Sequence, residues 1–227
     1  MIDPSPDLID ELYAASAGDL RLITVAADRP GVVPAIQRAR RLGIAVSLGH
    51  QVAEPPDIRA AVSAGAGFVT HFGNGLPELI HRHSNPLWTS LDSDALSTMI
   101  VSDGFHLPDE LLRIVWRIKH AERCIITSDS APVAGLEDGT YSAFGQTVTL
   151  KNGRITVADS EYLAGSAARM IDCVNHFAAV CDASEAELWR VSYSNPLVLS
   201  GAAAETCASE PLVQYVADRG SFEPLSK

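Results

Sequence analysis

Four titratable residues stand at matching places in this chain. His50 closes the apolar run IAVSLGH (44–50), His71 falls near the end of GFVTHFG (67–73), His106 closes STMIVSDGFH (97–106), and Asp129 ends the apolar part of RCIITSDS (123–130). In a parallel α/β sheet or barrel, functional side chains gather at the C-terminal ends of the strands, so residues at equivalent ends converge on one face. Two neutral imidazoles with a carboxylate suit a divalent ion such as zinc, whose catalytic sites take three protein ligands and leave a place for water. Each residue also has a plainer reading. A lone strand histidine is more often packed and hydrogen-bonded than a ligand, and Asp129 could cap the turn before SAPVAG. On the pattern alone, a metal hydrolase and a set of structural residues stand level.

The elements that must position these residues follow from the apolar pattern. LRLITVAAD (20–28) precedes the four runs above, making five β-rich segments. Between most of them lie stretches of helical periodicity: VVPAIQRARRLG (32–43), DIRAAVSAGA (57–66) and PDELLRIVWRIKH (108–120). The last carries Leu111, Leu112, Val115, Trp116 and Ile118 on a broad apolar face, with Pro108 near its start. This alternation predicts βαβ units and a parallel sheet, hence an α/β fold. After Ser130 the pattern changes. YSAFGQTVTLKNGRITVAD (141–159) reads as a β-hairpin turning at Asn152-Gly153. Helices over 166–181 and 184–192 follow, the second opened by Ser184 and Glu187 as a capping box. The expected organisation is an α/β portion over 1–200 with a hairpin insertion at about 141–159, then a tail over 201–227 that takes no assignment.

Composition narrows the function classes. The 227 residues are 47% hydrophobic and 20% charged, enough to bury a sizeable core and unlike a disordered chain. A net charge of −11 speaks against a broad nucleic-acid or anionic-membrane surface, though not against a small anionic ligand in a local cationic pocket. Cys124, Cys173, Cys181 and Cys207 show no CxxC spacing and read as reduced, mostly buried thiols. No apolar run reaches membrane-spanning length, and MIDPSPDLIDEL is acidic and polar, so the expectation is a cytoplasmic protein.

The remaining titratable residues separate by context. His120 sits at the end of a predicted helix, where partial positive charge is favourable, and His176 lies in a helix without a partner motif; both read as structural. His81, Arg82 and His83 form a small cationic cluster after the third run. It is either a solvated turn or an anion contact suited to arginine's planar fork.

Taken together and in order, GHQVAEPPDIRAAVSAGAGFVTHFGNGLP, HRHSNPLW, SDGFHLPDELL, TSDSAPVAG and YLAGSAARM resemble the N-acetylglucosamine-6-phosphate deacetylase family of the amidohydrolase superfamily, over about residues 20–196. The resemblance implies a metal-dependent (β/α)8 (TIM-type) barrel with a small β-sandwich, usually a homodimer. It implies His50 and His71 as metal ligands and Asp129 as the aspartate that takes a proton from water and passes it to the leaving amine. His106 matches a histidine contacting the substrate near the acetamide, and Asn74 and Gly75 match a loop binding the sugar phosphate. Arg82 matches a basic residue reaching the phosphate in the neighbouring subunit's site, and Leu163, Ala164 and Gly165 match a loop lining the sugar pocket.

The resemblance also implies a third ligand, a glutamate in a His-Leu-Glu-Gly-Pro type motif on an earlier strand, and no such motif is found here. Five β-runs match only the later strands of an eight-stranded barrel, so the expected fold is a partial barrel with a β-hairpin and C-terminal helices. The reading favoured from sequence is a metal-dependent deacetylase, zinc being the expected ion, in truncated form. A split enzyme completed by another chain, a non-catalytic sugar-phosphate-binding relative, and an amidohydrolase acting on another amide remain the alternatives.

Overall fold

The computed structural model of the chain describes residues 2–201 and 213–225. Five parallel strands, β1 (Leu22–Val25), β2 (Ala45–Leu48), β3 (Phe68–Val69), β4 (Ser97–Val101) and β5 (Cys124–Thr127), lie side by side in chain order. They coincide with the five apolar runs. The registers, such as Leu22 opposite Ala45, Leu48 opposite Val69 and Val101 opposite Thr127, bring the C-terminal ends to a common level. All four residues of β2 are buried, as expected for a parallel strand covered on both faces.

Helices fill the crossovers, each begun and ended by local chemistry. After α1 (Pro6–Ala15), α2 (Val32–Arg41) buries Val32, Ala35, Ile36 and Ala39. In α3 (Pro55–Ala64), prolines at the start have no amide to leave unpaired, Asp57 Oδ2 accepts the Glu54 N–H at 3.0 Å, and Gly65 ends the helix in the left-handed region. A short α4 (Pro86–Asp92), capped by Asn85, was not predicted, because its apolar residues are too few to show a period. The buried stripe of α5 (Asp109–Arg123) includes Leu112 and Val115; Ile118, expected on that face, is 44% exposed. At His120 (φ 51°, ψ −177°) the backbone leaves helical geometry, so the predicted end of this helix is a kink.

The predicted hairpin is part of a four-stranded antiparallel sheet: β6 (Gly139–Ala143), β7 (Gln146–Lys151), β8 (Arg154–Val157) and β9 (Leu163–Ser166). Asn152 (φ 51°) and Gly153 (φ 76°) make the expected two-residue turn. Phe144 and Gly145 make a second with the same signs, which divides the run read as one strand. The sheet has its own small core of Val148, Leu150, Ile155 and Ala164. A parallel bridge between Ser130 and Ser166 joins it to the end of β5.

Helix α6 (Met170–Cys181) starts four residues later than expected because Ser166 belongs to β9. The Ser184–Glu187 capping box opens α7 (Glu185–Trp189), which runs through a π-helical turn (Arg190–Ser194) into α8 (Asn195–Ser200). The tail, unassigned from sequence, contains a hairpin of β10 (Val213–Val216) and β11 (Ser221–Pro224). Asn175 clamps it, with Nδ2 donating to the Phe222 carbonyl at 2.9 Å and Oδ1 accepting the Phe222 N–H at 2.7 Å. Cys124, Cys173 and Cys181 are free and buried, and burial pushes each thiol up to about 12; Cys207 lies outside the described residues.

One buried cation holds the approach to β4. Lys119 is 1% exposed, and its Nζ donates to the carbonyls of Ser93 at 2.6 Å and Leu96 at 3.0 Å. Burial, aided by the nearby Arg123, pulls the amine down from its ordinary 10.5 to about 8. Lys119→Met keeps the stem but strands two carbonyls, so unfolding stability should fall by about 1–3 kcal/mol. Between those two pH values the unfolded chain binds more protons than the folded one, so wild-type stability rises with pH there. The urea midpoint of the variant should therefore fall further behind wild type from pH 8 to 10; a constant gap would remove the buried-amine explanation.

Candidate active site

The parallel sheet places its chemistry at a constant offset. β2 ends at Leu48, β3 at Val69 and β5 at Thr127, and two residues past each end stand His50, His71 and Asp129. All three adopt positive φ (52°, 30° and 48°). Residues with a Cβ pay about 1–2 kcal/mol for that region, and such outliers cluster where side chains are aimed for function. β4 ends at Val101, so the equivalent residue there is Asp103 rather than His106, which lies three residues further on. Asp103 was missed from sequence because SDGFH drew attention to its histidine. The constant spacing after each apolar run was the signal that would have found it.

His50 and His71 meet directly. Their Nε2 atoms are 2.8 Å apart, and the rings stand edge-on at 88° with centroids 4.5 Å apart. His50 is exposed, whereas His71 is 6% exposed. Burial first, and the adjacent His50 second, hold the His71 ring below its ordinary pKa and so in the neutral form that binds metals. Gly75 (φ 67°) closes over both: a Cβ there would lie 3.0 Å from His50 Nδ1 and 3.0 Å from His71 Cε1. The glycine expected in a phosphate loop is thus packed on the histidine pair.

His106 reaches the same place through Asp103. Its Nδ1 lies 2.8 Å from Asp103 Oδ2, and these two side chains are only 5% and 1% exposed. Burial alone would raise the Asp103 carboxyl; hydrogen bonds from the His106 ring and from the His106 and Phe105 backbone override it and hold it at about 2. Asp129 is exposed at its strand end, and its carbonyl accepts the Ser166 N–H at 3.1 Å. That bond fixes the height of β9 against the site.

A cavity of about 580 Å³ gathers His50, His71, His106 and Asp129 with Asn74, Gly75, Leu163 and Gly165. Glu78, Glu161 and Tyr162 also line it; the last two were not expected there from sequence. Leu163, Ala164 and Gly165, expected in a loop, belong to strand β9, and its alternation turns Ala164 into the small core of the second sheet. Asn74 Nδ2 is buried with no hydrogen-bond partner among the described residues. Arg82 is exposed and outside the cavity lining; its carbonyl accepts the Trp88 indole N–H at 2.8 Å. His81 Nδ1 accepts the Ser84 N–H at 2.8 Å, so that histidine serves its own turn.

The donor set suits a divalent ion only in part. The two imidazole nitrogens meet at hydrogen-bond distance, nearer than the roughly 3.3 Å that two tetrahedral zinc ligands keep, so an ion would have to part them slightly, and among the described residues no group of three or more His, Cys, Asp or Glu is placed to hold a metal. The described residues supply two positions of such a centre and not a third.

No protein-family model matches the chain. It is 30% identical over 203 residues to N-acetylglucosamine-6-phosphate deacetylase of Bos taurus, a match covering 86% of this chain and 49% of the relative. It is 28% identical over 193 residues to N-acetylgalactosamine-6-phosphate deacetylase of Escherichia coli O157:H7, covering 85% and 51%. Among solved structures, a mutant N-acetyl-D-glucosamine-6-phosphate deacetylase from Mycobacterium smegmatis, in complex with N-acetyl-D-glucosamine-6-phosphate, superimposes with a TM-score of 0.83 at 26% identity, covering 89% of this chain and 54% of that one. The five-stranded α/β sheet and its adjoining antiparallel sheet are therefore part of a deacetylase-type fold, and the chain spans about half the length of the relatives it matches. By sequence and by fold, the chain is a relative of the N-acetylglucosamine-6-phosphate deacetylases.

Proposed function

We propose that this chain contributes His50, His71, His106 and Asp129 to a centre for metal-dependent hydrolysis of the acetamide of N-acetylglucosamine 6-phosphate, giving glucosamine 6-phosphate and acetate. The observation that carries this reading is the convergence of the His50 and His71 Nε2 atoms, 2.8 Å apart, in one cavity with Asp129 and His106. His50 and His71 would hold the ion, and zinc suits nitrogen donors of this kind. A divalent ion bound there would polarise an amide carbonyl and acidify a water.

The chain's own groups do the rest. Asp129, exposed at the cavity wall, accepts a proton from the attacking water and returns it to the amine, which leaves poorly unless protonated. His106, held by Asp103, faces the acyl group. Leu163 and Gly165 form a wall for the sugar ring, and the unpartnered Asn74 amide is a ready donor to a phosphate oxygen. Arg82, exposed and outside this cavity's lining, would serve the phosphate of a neighbouring subunit in a homodimer. No helix among the described residues is long and apolar enough to cross a membrane, in keeping with a cytoplasmic enzyme of amino-sugar metabolism.

A second reading, a non-catalytic binder of amino-sugar phosphates, is favoured by the two-donor set. Metal content of the folded, monodisperse protein separates the two. The enzyme reading expects about one divalent ion per chain, lost in the His50→Ala/His71→Ala double variant, with acetate release that Asp129→Asn abolishes while the ion stays. A folded wild-type chain that takes up no ion and releases no acetate from either the glucosamine or the galactosamine substrate would leave the binder.

The backbone at His50 offers an independent check. His50 has φ 52°, and its ring meets that of His71, so truncating it both relieves backbone strain and removes that contact. His50→Ala and His50→Gly lose the same ring and differ only in backbone freedom, so both should lose the ion, while the glycine variant should be the more stable by about 1 kcal/mol in metal-free buffer. An alanine variant as stable as the glycine one would mean that the backbone at this position carries no strain.

A further inference from the structure

Asp103 occupies in β4 the position that His50, His71 and Asp129 occupy in β2, β3 and β5, but its carboxylate is turned inward and faces donors on every side. Oδ1 accepts the backbone N–H groups of Phe105 at 2.9 Å and His106 at 3.0 Å. Oδ2 accepts the Ser166 hydroxyl at 2.9 Å and lies 2.8 Å from His106 Nδ1. Ser166 Oγ in turn accepts the Ala168 N–H at 3.0 Å, which leaves its own hydrogen directed at Asp103. An ionised carboxylate can only accept hydrogen bonds, so the nitrogen facing it must carry a hydrogen.

We infer that Asp103, braced by Ser166, is a positioning residue that fixes the His106 ring with Nδ1 protonated and Nε2 as the nitrogen presented to the cavity. The ring can then exchange a proton or a hydrogen bond at Nε2 while Nδ1 remains tied to the carboxylate, the arrangement by which a buried acid orients a reacting histidine. Ser166 extends the effect. Its backbone pairs with Asp129 and Ala131 at the end of β5, with Ser166 N–H to the Asp129 carbonyl at 3.1 Å and Ala131 N–H to the Ser166 carbonyl at 2.9 Å. One serine thus ties the β9 wall of the cavity, the Asp129 backbone and the His106 ring into a single unit. The role at the acyl group rests on the deacetylase reading; the fixed tautomer does not.

The tautomer can be read without turnover. In the full chain labelled with 15N-histidine, long-range proton–nitrogen correlation spectra at about pH 8, where unperturbed imidazoles are largely neutral, distinguish protonated from bare ring nitrogens. The resonance absent from the His106→Gln spectrum identifies the ring. Wild type should show His106 with a proton on Nδ1. Asp103→Asn, keeping its oxygen on the two backbone N–H groups, turns its amide NH2 toward the ring, and the proton should move to Nε2. Ser166→Ala, which leaves the carboxylate in place, should retain the wild-type pattern. A bare Nδ1 in wild type, or an unchanged pattern in Asp103→Asn, overturns the inference. If Asp103→Asn does not fold, wild type and Ser166→Ala decide it. A protonated Nδ1 in a chain that releases no acetate would sink the deacetylase reading and leave this one standing.

Discussion

The site depends on a backbone constraint: three side-chain-bearing residues held in the left-handed region immediately beyond parallel strands. His50, His71 and Asp129 turn the chain back over the strand ends, and that turn aims their side chains into a shared cavity. Such conformations persist only where surrounding structure over-determines them. Here the anchoring is one-sided. Behind His50 lies β2, buried at every residue, and behind His71 lies Val69, paired on both flanks. The close approach of Gly75 to both rings then limits where they can rotate. The rigid sheet supplies what the strained tips need, and the tips repay nothing in stability.

A second constraint sits at Ser166, where two sheets of different character meet. The antiparallel sheet of β6–β9 has its own core and would be free to sit anywhere that its loops allow. The Ser130–Ser166 bridge and the bonds to Asp129 and Ala131 fix it against β5. Because β9 carries Leu163 and Gly165 on the cavity side, the height of that joint sets the width of the cavity. Gly165 (φ 82°) suits that joint: its left-handed backbone favours glycine, and a Cβ would lie 3.0 Å from Ala131 Cβ and press the two segments apart.

The parallel half was legible in the sequence because its signals are local. Five apolar runs, the helical stretches between them with Pro108 near one start and, in the second sheet, the Asn152-Gly153 turn each carry their meaning within a few residues. What escaped was settled at long range. β6 and β9 are short and mostly polar on one face, so only pairing with β7 and β8 makes them strands. The hairpin at 213–224 exists because Asn175, far away in sequence, clamps Phe222 and the Trp189 ring packs on it. At the site, the histidines were visible by type, but Asp103 was not, since an aspartate before a glycine reads equally well as a turn residue. Only its inward-turned carboxylate distinguishes it.

The row of strand ends also accounts for why two imidazoles meet and, among the described residues, no third donor joins them. At the common level of the parallel sheet stand Ala27, His50, His71, Asp103 and Asp129, each two residues past its strand. Ala27 has no donor atom to offer, Asp103 is committed to His106 and Ser166, and Asp129 stands at the opposite end of the row from β1. The open flank is therefore the β1 side. Among the described residues that strand has a partner on one edge only, and a groove of about 300 Å³, lined by apolar residues of α1 and β1, reaches His50. The free edge of β1 and the histidine pair are neighbours for one reason, the order of the strands, which sets β1 at the rim and β2 and β3 beside it.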